Sequence, residues 1–245
     1  PYVMPEQLKS GADYYLNIHV KTKEASDWAK AGYEVAYAQF TIDAKSTKVA
    51  HTLNGKNVQI KKQSHYYVVS GKDFRFKLNL DTGLLESYYY KDQLLMKEGP
   101  KPNISRAKLD NDSSHFKDMM SYLTLDGEPT VGKSTDGNYM LTTKWNSSYL
   151  LDSKTKTPGT IEMSYLIEDT GAVTVRMKLD FTKTKVKKFI KVGTRLSLAK
   201  GTENVSWYGN GDDESYCDRQ TYTRVGAYTS TVNKMFYPFA RPQDC

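Results

Sequence analysis

Two stretches gather side chains able to do chemistry. One is Asp110-Asn111-Asp112 followed by Ser113, Ser114 and His115; the other runs from Trp207 through Gly209, Gly211, Asp212, Asp213, Glu214, Tyr216, Cys217 and Asp218 to Arg219. Asp110-Asn111-Asp112 begins like a calcium loop. The pattern D-x-[DN]-x-[DN]-G fails where Ser114 and His115 stand, so turn and capping roles, in which Asp and Asn side chains bond nearby backbone, are expected instead. Asp212, Asp213 and Glu214 are consecutive, so they point in different directions and cannot flank one bond as an acid and base pair. Glu214 with Arg219 reads as an ion pair. Gly209-x-Gly211 is not a dinucleotide fingerprint, because Glu214 occupies the place of the third glycine. His19, His51, His65 and His115 are isolated, with no metal-ligand spacing. The second stretch reads best as a structural loop on which Trp207, Tyr208 and Tyr216 pack.

The elements that position these loops are strands. Tyr14, Leu16, Ile18 and Val20 alternate with Tyr15, Asn17, His19 and Lys21, the pattern of a half-buried strand. Past a loop with Trp28 and Gly32, Ala36, Ala38, Phe40 and Ile42 alternate with Val35, Tyr37, Gln39 and Thr41. Two strands are too few to stand alone, so they are expected to pack on the strands later in the chain or to pair with another copy. Asp43 to Asn57 is polar and without period, a linker. Phe74, Phe76, Leu78 and Leu80 form one strand face, and Asp81-Thr82-Gly83 turns the chain into Leu84 to Tyr90. Ile161 to Ile167, the turn Thr170-Gly171 and Val173 to Phe181 repeat that logic, and Val192, Thr194, Leu196 and Leu198 continue it. Only Ser114 to Leu123 has helical character. Short turns between alternating segments, with almost no helix, predict an all-β antiparallel sandwich.

Three motifs then carry a resemblance. W-Y-G-x-G at Trp207 to Gly211, followed by E-x-Y-x-D-R, the Gly226-x-Tyr228 pair and R-P-Q-D from Arg241, resembles the C-terminal sandwich domain of the large bacterial β-galactosidases, glycoside hydrolase family 2. S-R-A-K-L-D-N-D, Ser105 to Asp112, is similar to the R-A-x-x-D-N-D signature near the start of that sandwich. W-A-K-A-G-Y-E-V-A-Y-A-Q-F, Trp28 to Phe40, resembles the end of the immunoglobulin-like domain before it. The resemblance implies a domain order: residues 1–45 as the last strands of an incomplete immunoglobulin-like domain, 46–57 as linker, and 58–245 as the first portion of a large, galactose mutarotase-like supersandwich. It also implies that the chain is a piece of a longer polypeptide.

Retaining glycosidases need two carboxyl groups about 5 to 5.5 Å apart, which in that family come from a (β/α)8 barrel of around 250 residues. Nothing in this sequence alternates strand and helix in that way. The parent is thus implied to hydrolyse terminal β-galactosides such as lactose, and this piece to be non-catalytic, with no catalytic residue of its own. The implied contacts with the barrel and the sugar cleft are Asn111, Asp112, Ser113, Ser114 and His115, then Arg241 and Gln243. Trp207, Gly209, Gly211, Glu214, Tyr216, Asp218 and Arg219 form the structural loop. No metal or cofactor is expected here, and any divalent or monovalent cation belongs to the parent's barrel.

The formal charge is +7, carried by lysines scattered over strand and turn positions such as Lys72, Lys77, Lys144, Lys178 and Lys191. The one cluster, Lys183 to Lys188, suits a lysine-rich turn. No nucleic-acid module accompanies it, and no apolar run approaches the ~20 residues of a membrane span. Cys217 and Cys245 cannot make a disulfide framework. The expected partners are the remainder of the β-galactosidase chain and, through it, the galactoside. A carbohydrate-binding module or an aldose 1-epimerase-like sandwich is the rival reading, and homo-oligomer assembly a third.

Overall fold

The structure is a computed structural model that describes residues 9, 11–42, 57–107, 112, 118–212, 215, 220–236 and 238. It divides into two compact units. Leu53–Trp207 with Ala227–Cys245 make the larger, and Pro1–Thr52 with Tyr208–Gly226 the smaller. In chain order the strands are β1 (Tyr14–Lys21), β2 (Glu34–Ile42), β3 (Gln59–Gln63), β4 (Tyr66–Ser70), β5 (Phe74–Asn79), β6 (Leu85–Tyr90), β7 (Gln93–Asn103), β8 (Leu123–Leu125), β9 (Thr130–Lys133), β10 (Tyr139–Ser147), β11 (Gly159–Ile167), β12 (Val173–Asp180), β13 (Gly193–Leu198), β14 (Asn204–Gly211) and β15 (Arg224–Thr231). The described helices are one 3-10 turn, Met119–Tyr122, and one α-helical turn, Val232–Met235. No described helix is long and apolar enough to cross a membrane.

The larger unit is an antiparallel sandwich. One sheet has the order β13-β7-β6-β5-β4-β3; the other is β12-β11-β10-β8, with β9 also on β10. The alternation seen in sequence decides which side chains meet between them. Phe74, Phe76 and Leu78 of β5, Val69 of β4 and Leu85 of β6 face Leu141 and Trp145 of β10 and Ile161, Met163, Tyr165 and Ile167 of β11 in one buried cluster. Each such side chain contributes roughly 1.5–3 kcal/mol when taken out of water. Phe74, Phe76 and Tyr88 form a triangular cluster of nearly parallel rings, each pair of centroids 5.7 to 6.4 Å apart. The Tyr165 hydroxyl, taken deep into this seam, is paired: it donates to the Pro100 carbonyl at 2.9 Å, joining β11 to β7. Burial pushes its pKa far above the usual phenol range, so it stays a neutral donor.

Both predicted hairpins are present. Residues 80–84 join β5 to β6 and Thr170-Gly171 lies between β11 and β12. Gly83 has φ +71, and a Cβ there would come within 2.3 Å of Thr143 and 2.7 Å of Leu125. From Ser114 to Leu123, helix is found among the described residues only as the 3-10 turn from Met119, and Leu123 already belongs to β8. β13 forms where the alternation of Val192, Thr194, Leu196 and Leu198 predicts it. At the edge of its sheet, it leaves Val192, Leu196 and Leu198 exposed.

In the smaller unit β1 and β2 pair with Tyr14 opposite Ile42 and Leu16 opposite Phe40, up to an irregularity at Val20 and Lys21. The strands fall where the periodicity puts them, but the expected half-buried apolar face is not buried: Ile18, Val20 and Phe40 are about half exposed. It is the polar face that makes the bonds. Gln39 holds the Val225 backbone from both sides, donating to its carbonyl at 3.0 Å and accepting from its N–H at 2.8 Å. Tyr37 donates to the Thr221 carbonyl. The Arg224 guanidinium pairs with Glu34 and lies 3.7 Å over the Tyr37 ring. The linker predicted over Asp43 to Asn57 lies, up to residue 56, outside the described residues.

Two outcomes are expected. Gly83→Ala combines left-handed strain with a close clash against packed side chains and should cost about 2–4 kcal/mol in urea unfolding. Gly127→Ala has a similar φ, +73, but open space around it, and should cost only about 1 kcal/mol. Equal losses would mean that the packing over Gly83 is not as described. Separately, the Glu34 carboxyl is held below its usual 4.5 by the hydrogen bond with His19 first and then by Arg224. A depressed carboxylate contributes stability above its unfolded-chain pKa and loses it as pH falls through the lower folded value. Acidifying below about pH 4.5 should therefore lower the protection of the Val225 amide relative to an unstructured amide at the same pH, and Glu34→Gln should flatten that dependence.

Candidate functional site

The segment after β7 is anchored by residues on either side of it. β7 ends at Asn103, and Ile104 sinks fully into the core. Two residues on, Arg106 turns its guanidinium onto Asp112. Nη1 donates to Oδ2 at 2.7 Å and Nη2 to Oδ1 at 3.0 Å, while Nη1 also reaches the Ala107 carbonyl at 2.8 Å. This is a two-pronged charge-assisted contact, the strong form of a carboxylate bond. The Arg106 side chain is 8% exposed and that of Asp112 14%. At the far side Asp118 Oδ1 accepts from the Met120 N–H at 2.9 Å, capping the 3-10 turn, and Met119 is buried.

Buried anchors therefore stand at both ends of this segment, with Asp112 clamped between them. Asp112 is held by this ion pair, in which Arg106 brings a full charge to a carboxylate that has lost most of its water. Beside the second anchor, Met120, Leu123, Leu125, Trp145, Leu84 and Pro102 line a hollow of about 280 Å³, with Asp81, Thr82 and Lys101 supplying its polar groups.

Of the cleft residues expected from sequence, Asp112 is placed. Asn111, Ser113, Ser114, His115, Arg241 and Gln243 lie outside the described residues, as do Glu214, Tyr216, Asp218 and Arg219 of the structural loop. Trp207 stacks on Tyr228 with centroids 5.4 Å apart and planes 27° from parallel. Gly209 has φ +154, and Gly211 is buried and joined to Asp212 by a cis peptide bond. Sequence reasoning does not single out Arg106, Asp118, Lys101 or Trp145. Only Arg106 carries a signal, as the first charged residue of S-R-A-K-L-D-N-D. No group of three or more His, Cys, Asp or Glu among the described residues could hold a metal ion.

The clamp joins the two ends of the R-A-x-x-D-N-D signature, and comparison with known proteins agrees with what that signature suggests. The family described as beta galactosidase small chain matches residues 70–245, and that described as beta-galactosidase, domain 4, matches residues 2–43. The chain belongs to the β-galactosidase small chain family. A β-galactosidase of Priestia megaterium is 25% identical over 250 residues, which cover 100% of this chain and 23% of that protein. One of Streptococcus thermophilus is 25% identical over 248 residues, covering 96% and 22%, and one of Photobacterium profundum 24% over 254, covering 97% and 25%. The chain thus spans about a quarter of the length of these curated relatives.

Removing one partner of the clamp should be costly because the other stays behind with little water. Asp112→Asn is expected to lower the unfolding free energy by about 1.5–3 kcal/mol. Arg106→Lys, which keeps the charge but loses the fork, should lose a smaller amount. Urea denaturation of the two variants checks this; a neutral Asp112→Asn would show that the pair does not anchor the loop.

Proposed function

We propose that this chain is the non-catalytic C-terminal part of a β-galactosidase, supporting a barrel elsewhere in the polypeptide and forming one side of the sugar cleft with the loop around Asp112. The observation that supports this most is architectural. A (β/α)8 barrel alternates eight strands with eight helices, whereas the described residues are antiparallel strands with two single helical turns. The barrel that carries the paired carboxylates of a retaining glycosidase cannot be built from these elements. The galactoside and the rest of the polypeptide are the partners on this reading, and any catalytic cation is bound outside these residues.

The clamp gives the reading its physical content. Substrate-positioning groups must hold their geometry closely, since a misplacement of about 1 Å can cost a hundredfold in rate. Ile104, the Arg106–Asp112 fork and Met119 are fixed points of the kind that demand requires. The hollow lined by Trp145 with Asp81, Thr82 and Lys101 favours the second reading, a sugar-binding module, because an aromatic wall with a few polar groups is the common build of a small-molecule site.

The purified chain is expected to show no turnover of a chromogenic β-galactoside above buffer; measurable turnover would overturn the proposal. In the complete β-galactosidase polypeptide carrying this sequence, Asn111→Ala or His115→Ala should raise KM by up to about tenfold with kcat less affected, the mark of uniform binding lost. Calorimetry of the chain alone with galactose and lactose separates the two readings. Silence supports the cleft-wall role, and saturable millimolar heat supports the binding module.

A further inference from the structure

The sheet register sets two loops side by side. Ser147 at the end of β10 pairs with Gly159 at the start of β11, and Thr160 pairs with Asp180 at the end of β12. Residues 148–158, between β10 and β11, and residues 181–192, between β12 and β13, therefore leave the same end of one sheet. They are bonded to each other. The Lys185 N–H donates to the Leu150 carbonyl at 2.9 Å, and the Thr155 hydroxyl donates to the Lys183 carbonyl at 3.3 Å. In sequence the run from Lys183 suits a turn, but this pairing adds Lys154 and Lys156 to it. The two loops together hold seven lysines and one carboxylate, Asp152, a net +6 out of the chain's +7. Asp152 is turned to its own loop, where Oδ1 accepts from the backbone N–H groups of Lys154 and Thr155 at 2.9 and 3.2 Å.

The apolar side chains of the loops divide in two. Tyr149, Val186 and Phe189 pack against the core, and Phe181 meets Phe189 edge to face at 5.0 Å. Leu150 and Leu151 instead stand 49% and 36% exposed beside the lysines. Leu150 is also held at φ +48, a region that a leucine seldom occupies. Exposed ammonium groups have water as a partner, and an adjacent pair of exposed leucines has none.

We infer that these two loops form a docking surface for an anionic lipid membrane, with the lysines on the headgroups and Leu150 and Leu151 in the boundary beneath them. Composition selects this partner over other polyanions. Nucleic-acid binders add arginine forks or aromatic platforms on which bases stack; neither loop contains an arginine, and their aromatic rings are engaged by the core. An acidic polypeptide would satisfy the lysines and leave both leucines in water. A membrane surface meets both demands, since attachment there scales with buried apolar area plus attraction to anionic lipid. Lysine suits a fluid layer of headgroups, as a flexible point charge that needs no fixed counterpart. None of these residues belongs to the segment around Asp112, so this surface is independent of the cleft proposal.

The test uses the complete β-galactosidase polypeptide carrying this sequence, sedimented with vesicles of phosphatidylcholine alone or mixed with phosphatidylglycerol at physiological ionic strength. It should sediment with the mixed vesicles and not with the neutral ones. Replacing three lysines, Lys183→Gln, Lys185→Gln and Lys187→Gln, should weaken that partition on the order of a hundredfold, at about fivefold per lysine. Leu150→Asn with Leu151→Ser should weaken it about tenfold. Asn is the choice at position 150 because it tolerates the left-handed backbone there. Both variants should keep the melting temperature, since all five side chains are exposed. Three results would overturn the inference. A complete polypeptide that ignores the mixed vesicles leaves the loops without this partner. Sedimentation indifferent to the leucine change would assign the lysines to a soluble polyanion. Single-stranded DNA bound more tightly than the mixed vesicles would assign them to nucleic acid.

Discussion

A β-sheet has two faces, and the structure depends on what covers each of them. In the larger unit the question is answered inside the chain: the inner faces of β5 and β11 meet through Phe76, Leu78, Met163, Tyr165 and Ile167, all but closed to solvent. Period-two alternation makes this an all-or-none arrangement, because a slip of one residue would turn the whole apolar set outward. The Tyr165 hydroxyl is a polar group brought into the seam, and it is tolerated because the Pro100 carbonyl receives it. On the apolar side of β1–β2 the same alternation instead leaves Ile18, Val20 and Phe40 about half exposed.

The second constraint is electrostatic and local. Arg106 and Asp112 are six residues apart, and no described helix or strand holds either of them, so nothing periodic brings them together. They pair because Ile104, sealed into the core, sets where the chain leaves β7. Once both groups are shielded, each is costly without the other. The exposed pairs, Lys62 with Glu128 or Lys144 with Glu162, have water as an alternative partner and contribute little. Burial, more than distance, separates the pair that shapes a loop from the pairs that decorate strands.

These two constraints also explain how much of the molecule is legible in its sequence. Hairpins β5–β6 and β11–β12 can be read because alternation and a glycine turn speak together, and Gly83 at φ +71 is the glycine its turn requires. The positions of β1, β2 and β13 are legible for the same reason. Their exposure is not, since periodicity reports which side chains share a face and is silent on what lies over it. The Arg106–Asp112 clamp is half visible: its residues stand in a recognisable signature, but spacing reveals only short-range chemistry and does not show that a guanidinium six residues away reaches the carboxylate. Contacts such as Arg224 with Glu34 join residues 190 positions apart and leave no local trace.

On the proposal that the catalytic barrel lies outside this chain, the contrast between the two constraints bears on how the chain would serve it. A loop holds a geometry only as well as its anchors, and the anchors around Asp112 are a sealed core and a charge fork with few alternative arrangements. Building the same precision directly from a flexible surface segment would require ordering its backbone at roughly 1–2 kcal/mol per residue at the moment of binding. In the function proposed here that cost is met once, on folding, by the burial of β5, β10 and β11. The sandwich can then vary freely on its outer faces, where Lys77, Lys144 and Lys178 stand, provided that the inner alternation and the clamp are kept. Identity near 25% alongside matches over almost the whole chain is the degree of divergence such a division of labour allows.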